Sequence, residues 1–184
     1  HLINARNNGI TKEEMAEIIT HAAFYVGWPN AWAVFDLAKE VYADDEQKGN
    51  HGGIFGMGEP NVNFAQYFIG NSYLKPLTNP NETKVFIANV TFEPGCRNNW
   101  HIHKATEGGG QILICVEGEG WYQEEGKEPQ SLKVGDVVTI PANVKHWHGA
   151  KKDKWFSHLA IEVPGENTSN EWCEKVTDEE YDKL

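Results

Sequence analysis

The chain has 184 residues, enough for one domain and a smaller appendage, and its 40% hydrophobic content with seven tryptophans suffices for a packed core. A net charge of −11 argues against nucleic acid and against an anionic membrane surface as partners. No apolar run reaches the length of a membrane span, and no basic-apolar-small leader pattern opens the chain. The three cysteines, Cys96, Cys115 and Cys173, are an odd, widely spaced set without a CxxC, the pattern of reduced thiols in a cytoplasmic protein. Without a secretory signal, the N-x-Ser/Thr patterns at Asn81, Asn89 and Asn167 are chance matches.

Residues 1–9 read as the last turns of a helix closed by Gly9, which suggests that the sequence is a fragment. Thr11 to Glu14 is a capping box, and Met15, Ile18, Ile19, Ala22 and Val26 follow at helical spacing. Trp28-Pro29 reads as a break, Asn30 as a cap, and Ala31 to Tyr42 as a second helix with apolar residues on more than one side. Two such helices cannot bury that surface against each other and need a further partner. The helical segment is expected over 1–45 and a glycine-rich linker over 46–60, with His51 in it solvated.

From residue 61 the pattern changes to short strands. They are expected at 65–69, at 72–77, at 85–92 after the Asn79-Pro80-Asn81 turn, and at 111–116 and 120–123. Others follow the Glu125-Gly126 hairpin turn at 130–134, 136–140 and 155–163. Many short strands separated by turns predict a double-sheet jelly roll over 61–184. Thr177 to Glu180 is a second capping box, opening a short acidic helix.

The chemistry concentrates between Gly95 and Gly149. Side chains two apart on a strand share a face, so His101 and His103 project together, as do His146 and His148. Two such pairs on neighbouring strands bring three or four neutral imidazoles to one point, which suits a divalent transition metal. On 155–161, His158 aligns with Phe156 and Ala160, a set that would line a barrel. Beside a metal, His148 and His158 become candidates for proton transfer, with a pKa near neutrality. Cys115 shares the parity of Gln111, and its default is a thiol filling core space. Phe86, Phe92, Trp100, Trp121, Tyr122 and Trp147 read as barrel or rim aromatics. Arg97 reads as a surface charge or an attractor of anionic substrate, and Glu117 and Glu119 as exposed residues beside a turn glycine.

These residues also carry a resemblance. Gly95-x5-His101-x-His103 and Gly135-x5-Pro141-x4-His146 resemble the two cupin motifs. Val90-Thr-Phe-Glu-Pro-Gly95, Gly110-Gln111, His146-Trp-His-Gly-Ala150, His158-Leu-Ala-Ile161 and Trp172 are similar to the manganese-binding small cupins that include bacterial hydroxynitrile lyases. The resemblance implies a cupin barrel in which His101, His103 and His146 are metal ligands. It also places His148 and His158 in the pocket, and it makes manganese the first choice, with iron, zinc or nickel also compatible with N/O donors. For the fourth ligand, Glu107 has the usual cupin spacing from His103. Gln111 has the family register to Gly118 and the similar lyases use Gln in the same Gly-Gln context, so Gln111 is the expected fourth ligand. Three His with Gln would leave the ion its full charge, whereas Glu would partly neutralise it and suit oxygen-activating iron.

Residues 8–14 and 23–31 resemble the closing helices of the carboxymuconolactone decarboxylase family. That family's thiol-peroxidase branch works through a CxxC, which this chain lacks, so the segment is expected to be structural or an oligomer contact. The resulting expectation is a metal-dependent lyase acting on a small carbonyl, hydroxynitrile or hydroxy acid, in a homo-oligomer. A decarboxylase or lactone-processing step in aromatic catabolism is a variant of it. A non-catalytic small-molecule-binding cupin and an oxygen-dependent dioxygenase are the alternatives.

Overall fold

The computed structural model describes residues 1–49, 51–79 and 81–184. Asn50 of the expected linker and Pro80 of the expected turn lie outside the described residues. The chain divides into two compact units, His1–Gly49 and Asn50–Leu184. Among the described residues, no helix is long and apolar enough to cross a membrane.

The first unit holds helices α1 (Leu2–Asn7), α2 (Lys12–Val26) and α3 (Trp28–Gly49). Both arms of the expected capping box form at the start of α2. Thr11 N–H donates to Glu14 Oε2 at 2.9 Å, and Glu14 N–H donates to Thr11 Oγ1 at 3.2 Å. Met15, Ile19 and Ala23, one helical turn apart, meet Ala31, Ala38 and Tyr42 in a small core. The expected break between the two helices falls at Gly27, just before Trp28-Pro29. Pro29 occupies the first turn of α3, where a missing N–H costs nothing, and Asn30 Nδ2 donates back to Val26 O at 2.8 Å instead of capping. α3 also continues past Tyr42 to Gly49, through the acidic residues expected to start the linker. Phe24, Tyr25, Trp28, Trp32 and Leu37 remain exposed.

The glycine-rich stretch from His51 belongs to the second unit and is tied to its strands. Asn89, fully buried, donates to Gly52 O at 2.8 Å and Gly56 O at 2.9 Å. His51 is not solvated: its ring stacks on Trp155 with centroids 3.9 Å apart, and its Nδ1 lies 2.5 Å from Glu117 Oε1. Glu117, expected to be exposed, is half-buried and also accepts from Gly52 N–H, Gly53 N–H and Ser157 Oγ.

The barrel strands are β1 (Glu59–Pro60), β2 (Phe68–Ile69), β3 (Ser72–Pro76), β4 (Phe86–Phe92), β5 (Arg97–Asn98), β6 (His101–Lys104) and β7 (Glu107–Gly108). They continue as β8 (Gln111–Glu124), β9 (Gln130–Lys133), β10 (Val137–Ile140), β11 (Lys145–Ala150), β12 (Phe156–Glu162), β13 (Gly165–Glu166) and β14 (Ser169–Trp172). β8 joins the two halves of the jelly roll. Its first half pairs with β10 and β12, the latter continuing to β4 and β3. Its second half pairs with β9 and β11, the latter continuing to β5 and β6. The sequence reading broke this strand in two at Gly118, but there is no turn there. The register against β12 shifts between Ser157 and His158, leaving Val116 as a bulge. Gly118 follows with φ +68°, and a Cβ on it would lie 1.8 Å from Trp155 O. Only glycine lets the strand turn the corner from one sheet to the other.

Short helix α4 (Asp178–Tyr181) forms from its expected capping box and packs Tyr181 with Trp100, Trp147 and Val176 outside the barrel. Arg97 anchors this segment and is not a surface charge. It is 3% exposed, donates through Nε and Nη2 to Val176 O at 3.2 Å each, and pairs with Asp178. Its guanidinium lies 4.3 Å from the centre of the Tyr181 ring.

Gly118→Ala combines a left-handed backbone with overlap on a carbonyl oxygen. It should cost roughly 2–5 kcal/mol of barrel stability, read as a lowered denaturation midpoint at unchanged slope. A variant as stable as the parent would refute the corner assignment.

Candidate metal centre

The barrel holds a partly open cavity of about 530 Å³. One wall is apolar, with Phe64, Phe68, Leu74, Phe86, Ala88, Val90 and Ala160. Asn98, His101, His103, Gln111, His148 and His158 make a polar end. The pleat of β6 and β11 explains the convergence: His101, His103, His146 and His148 are all buried, on alternate positions facing the interior. His101 and His146 are direct cross-strand partners, with ring centroids 4.2 Å apart. Trp172 of β14, opposite His101 in register, lies 4.9 Å from its ring. Gln111 comes from the other sheet, at the first position of β8, opposite Glu162 of β12.

The hydrogen bonds select which atoms are free. His101 Nδ1 lies 2.9 Å from Asn99 O and His146 Nδ1 lies 2.9 Å from Val144 O. A carbonyl only accepts, so both Nδ1 atoms carry the proton and both Nε2 atoms keep the lone pair. Gln111 Nε2 donates to Glu162 Oε1 at 2.9 Å, which leaves Gln111 Oε1 as a free acceptor. His146 Nε2, His103 Nε2 and Gln111 Oε1 are all buried without a hydrogen-bond partner. Each such atom costs about 1–3 kcal/mol if nothing satisfies it, and His103 and Gln111 line the cavity while His146 lies beside His101, so a bound ion is what would satisfy them. A divalent transition metal fits these donors.

Among the described His, Cys, Asp and Glu residues, ligand atoms of His101, His146 and His148 all lie within 4.8 Å of one another. His103, expected as a ligand, has its ring 5.2 Å from that of His101 and 5.5 Å from that of His146. His148, expected as a proton carrier, is held by Asn98: Nδ2 lies 3.0 Å from His148 Nε2, and Oδ1 accepts the His148 backbone N–H at 2.9 Å. His148 Nε2 is thus engaged by a donor, while His103 Nε2 is not. His158 is fully buried between Phe92 and Phe156, 4.7 Å from the His148 ring, with neither nitrogen partnered. Glu107 is exposed on the β7–β13 ribbon opposite Glu166 and does not line the cavity. Cys115 packs in the core, where burial pushes its thiol up to about 11.

Burial is the main cause of every imidazole shift here. It drives His101 and His148 well below the ordinary histidine range, with neighbouring imidazoles adding to the effect. It lowers His146 to about 4 and His158 to about 3. The near-neutral pKa expected of the two proton-transfer candidates is therefore not what this cavity gives them. All four rings stay neutral at pH 7, the form that can bind a metal or accept a proton.

Glu162 and Asn98 were not singled out in the sequence. Glu162 was accessible to the argument that found His158, because Phe156, His158, Ala160 and Glu162 alternate along one face of β12. Asn98 gave no such signal, since β5 has only two residues.

Residues 88–162 match the cupin domain family, and residues 1–40 match the carboxymuconolactone decarboxylase family. The chain belongs to the cupin family. It is 42% identical over 118 residues to the (R)-mandelonitrile lyase of Granulicella tundricola, a match spanning 64% of this chain and 87% of that one. A 44-residue match, 43% identical, joins it to the 4-carboxymuconolactone decarboxylase of Acinetobacter baylyi; it spans 24% of this chain and only 33% of that relative. A cupin-like protein from Thermotoga maritima superposes with a TM-score of 0.62 at 41% identity, over 71% of this chain and 95% of that one. A cupin 2 conserved barrel domain protein from Rhodopseudomonas palustris, 15% identical with a TM-score of 0.51, covers 68% of this chain and 81% of its own. That likeness reflects the fold alone.

Metal content of purified variants tests the ligand set. His101→Ala and His146→Ala should each lose the bound metal, and so should Gln111→Ala, whereas Glu107→Ala should retain it. Metal retained in both histidine variants would remove the centre from this end of the cavity.

Proposed function

We propose that the barrel is a metal-dependent lyase that cleaves a small hydroxynitrile, carbonyl or hydroxy acid substrate. His101, His103, His146 and Gln111 act as the ligands. The observation that carries this reading is the set of buried, partnerless acceptors, His146 Nε2, His103 Nε2 and Gln111 Oε1, beside the His101–His146 pair. A divalent ion held there would supply Lewis-acid polarisation of a bound hydroxyl or nitrile, at full charge because all four ligands are neutral. Manganese is the first choice, with iron, zinc and nickel also compatible.

In hydroxynitrile cleavage the hydroxyl loses its proton and its O–H electron pair becomes the second bond of the carbonyl. The C–CN bond breaks with its pair on cyanide, which leaves as HCN after protonation. His158 accepts the hydroxyl proton: its ring borders the cavity, it is neutral and neither nitrogen is partnered, whereas His148 can serve only by exchanging the Asn98 amide at its Nε2 for the proton. The apolar wall around Phe68, Leu74 and Val90 holds the organic part and excludes water. The 42% identity to a mandelonitrile lyase supports this substrate class. The dioxygenase alternative would gain from Glu107 as a ligand, and the exposed position of that residue withholds that support. The helical segment serves as an oligomer contact in this reading, since Phe24, Tyr25 and Trp32 call for cover.

Mandelonitrile cleavage by the manganese-loaded protein is the test. His158→Ala should keep the metal and lower kcat by roughly 100-fold or more. Unchanged turnover would remove His158 from the mechanism. A tightly bound hydroxynitrile without turnover in the parent would make the barrel a binding module.

A further inference from the structure

Three features could carry a new assignment. The exposed aromatic face of the helical unit has nothing in the structure to say what covers it. The His51–Glu117 contact holds the glycine-rich strap but does not line the barrel cavity. Glu162 touches two members of the ligand set at once, and it goes furthest.

We propose that Glu162 is a positioning residue for the metal centre, one that turns Gln111 Oε1 and His103 Nε2 toward the ion. This rests on the ligand set above. An amide side chain is ambiguous as a ligand, because it can present either an oxygen or an NH₂ group to the same point. A carboxylate accepts and does not donate, so a carboxylate against one end of the amide forces the NH₂ toward itself and the oxygen away. Glu162 Oε1 receives Gln111 Nε2 at 2.9 Å, and Gln111 Oε1 is then left buried and free. The other oxygen, Oε2, lies 3.0 Å from His103 Nδ1. The contact is not aligned as a hydrogen bond, and His103 Nδ1 remains without a partner. A small rotation of either side chain would bring Nδ1–H onto the carboxylate and leave Nε2 as the donor to the metal.

The comparison with the other ligands strengthens the assignment. His101 and His146 have their Nδ1 atoms oriented by backbone carbonyls, of Asn99 and Val144, which no side-chain change removes. The orientation of Gln111 comes from a side chain, and the same carboxylate is the polar group nearest His103 Nδ1. The sheet dictates the arrangement: Gln111 and Glu162 are direct partners in the β8–β12 register. Glu162 is partly exposed at the cavity margin, so its carboxylate keeps contact with water.

The experiment measures the affinity of the metal-free protein for Mn²⁺ by titration followed by electron paramagnetic resonance, on the parent, Glu162→Gln and Glu162→Ala. Glu162→Ala should weaken binding by about 10- to 100-fold with an unchanged thermal midpoint of the metal-free protein. Glu162→Gln retains an acceptor for the Gln111 amide and should lose distinctly less. Parental affinity in Glu162→Ala, or an equal loss in both Glu162 variants, overturns the proposal while leaving the ligand set intact. A parent protein that binds no Mn²⁺, Fe²⁺, Zn²⁺ or Ni²⁺ overturns both.

Discussion

The barrel is organised by a costly interior: several imidazoles and one amide are brought together around a cavity, with polar atoms that no protein group satisfies. The pleat makes this unavoidable once the strands form. With a two-residue period on β6 and β11, every histidine of the His101/His103 and His146/His148 pairs must face the same way. Direct pairing of His101 with His146 then sets two rings 4.2 Å apart. Burial keeps these rings neutral, because charging one would strip a cation of solvent beside others of its kind. Backbone carbonyls take the Nδ1 protons and leave the Nε2 lone pairs facing inward.

The corner at Gly118 makes that interior possible. Gln111 begins one half of β8 in the sheet opposite the histidines, while Trp121 and Tyr122 of the other half pair with β11 in the sheet that carries His146 and His148. A single strand thus ties the amide and the imidazoles to one framework. The bulge at Val116 and the left-handed Gly118 place the change of sheet between them. Arg97 performs a related task outside the barrel, clamping the C-terminal segment over the same strands that carry the histidines.

The polar and apolar parts of the cavity divide the chemical labour. Neutral donors concentrate at one end and aromatic and aliphatic side chains at the other, the arrangement expected for a small substrate with one reactive polar group. Proton-transfer candidates of depressed basicity are adequate only if something else acidifies the substrate hydroxyl, which is the contribution a metal makes. The ligand set and the weak bases therefore belong to one reading.

The sequence by itself determined the jelly roll, the two capping boxes and the histidine pairs, because period-two spacing, turn residues and cap residues act locally and leave a local record. The cupin motifs in 95–146 extended that to a metal-binding class. What it could not determine was which distant groups meet. Arg97 and Glu117 read as surface charges because their partners lie on remote segments, Val176 and Asp178 for one and the strap from His51 for the other. Pro29 read as a break because the same residue stops a helix inside and starts one at its first turn. Gly118 read as a turn because a bulge and a hairpin both favour glycine, and only the strands packed alongside distinguish them. The pKa values of His148 and His158 lay equally beyond reach, since desolvation depends on what closes over a side chain. The pairing of Gln111 with Glu162 was decided by register alone, and register across fifty residues of sequence is a property of the folded sheet.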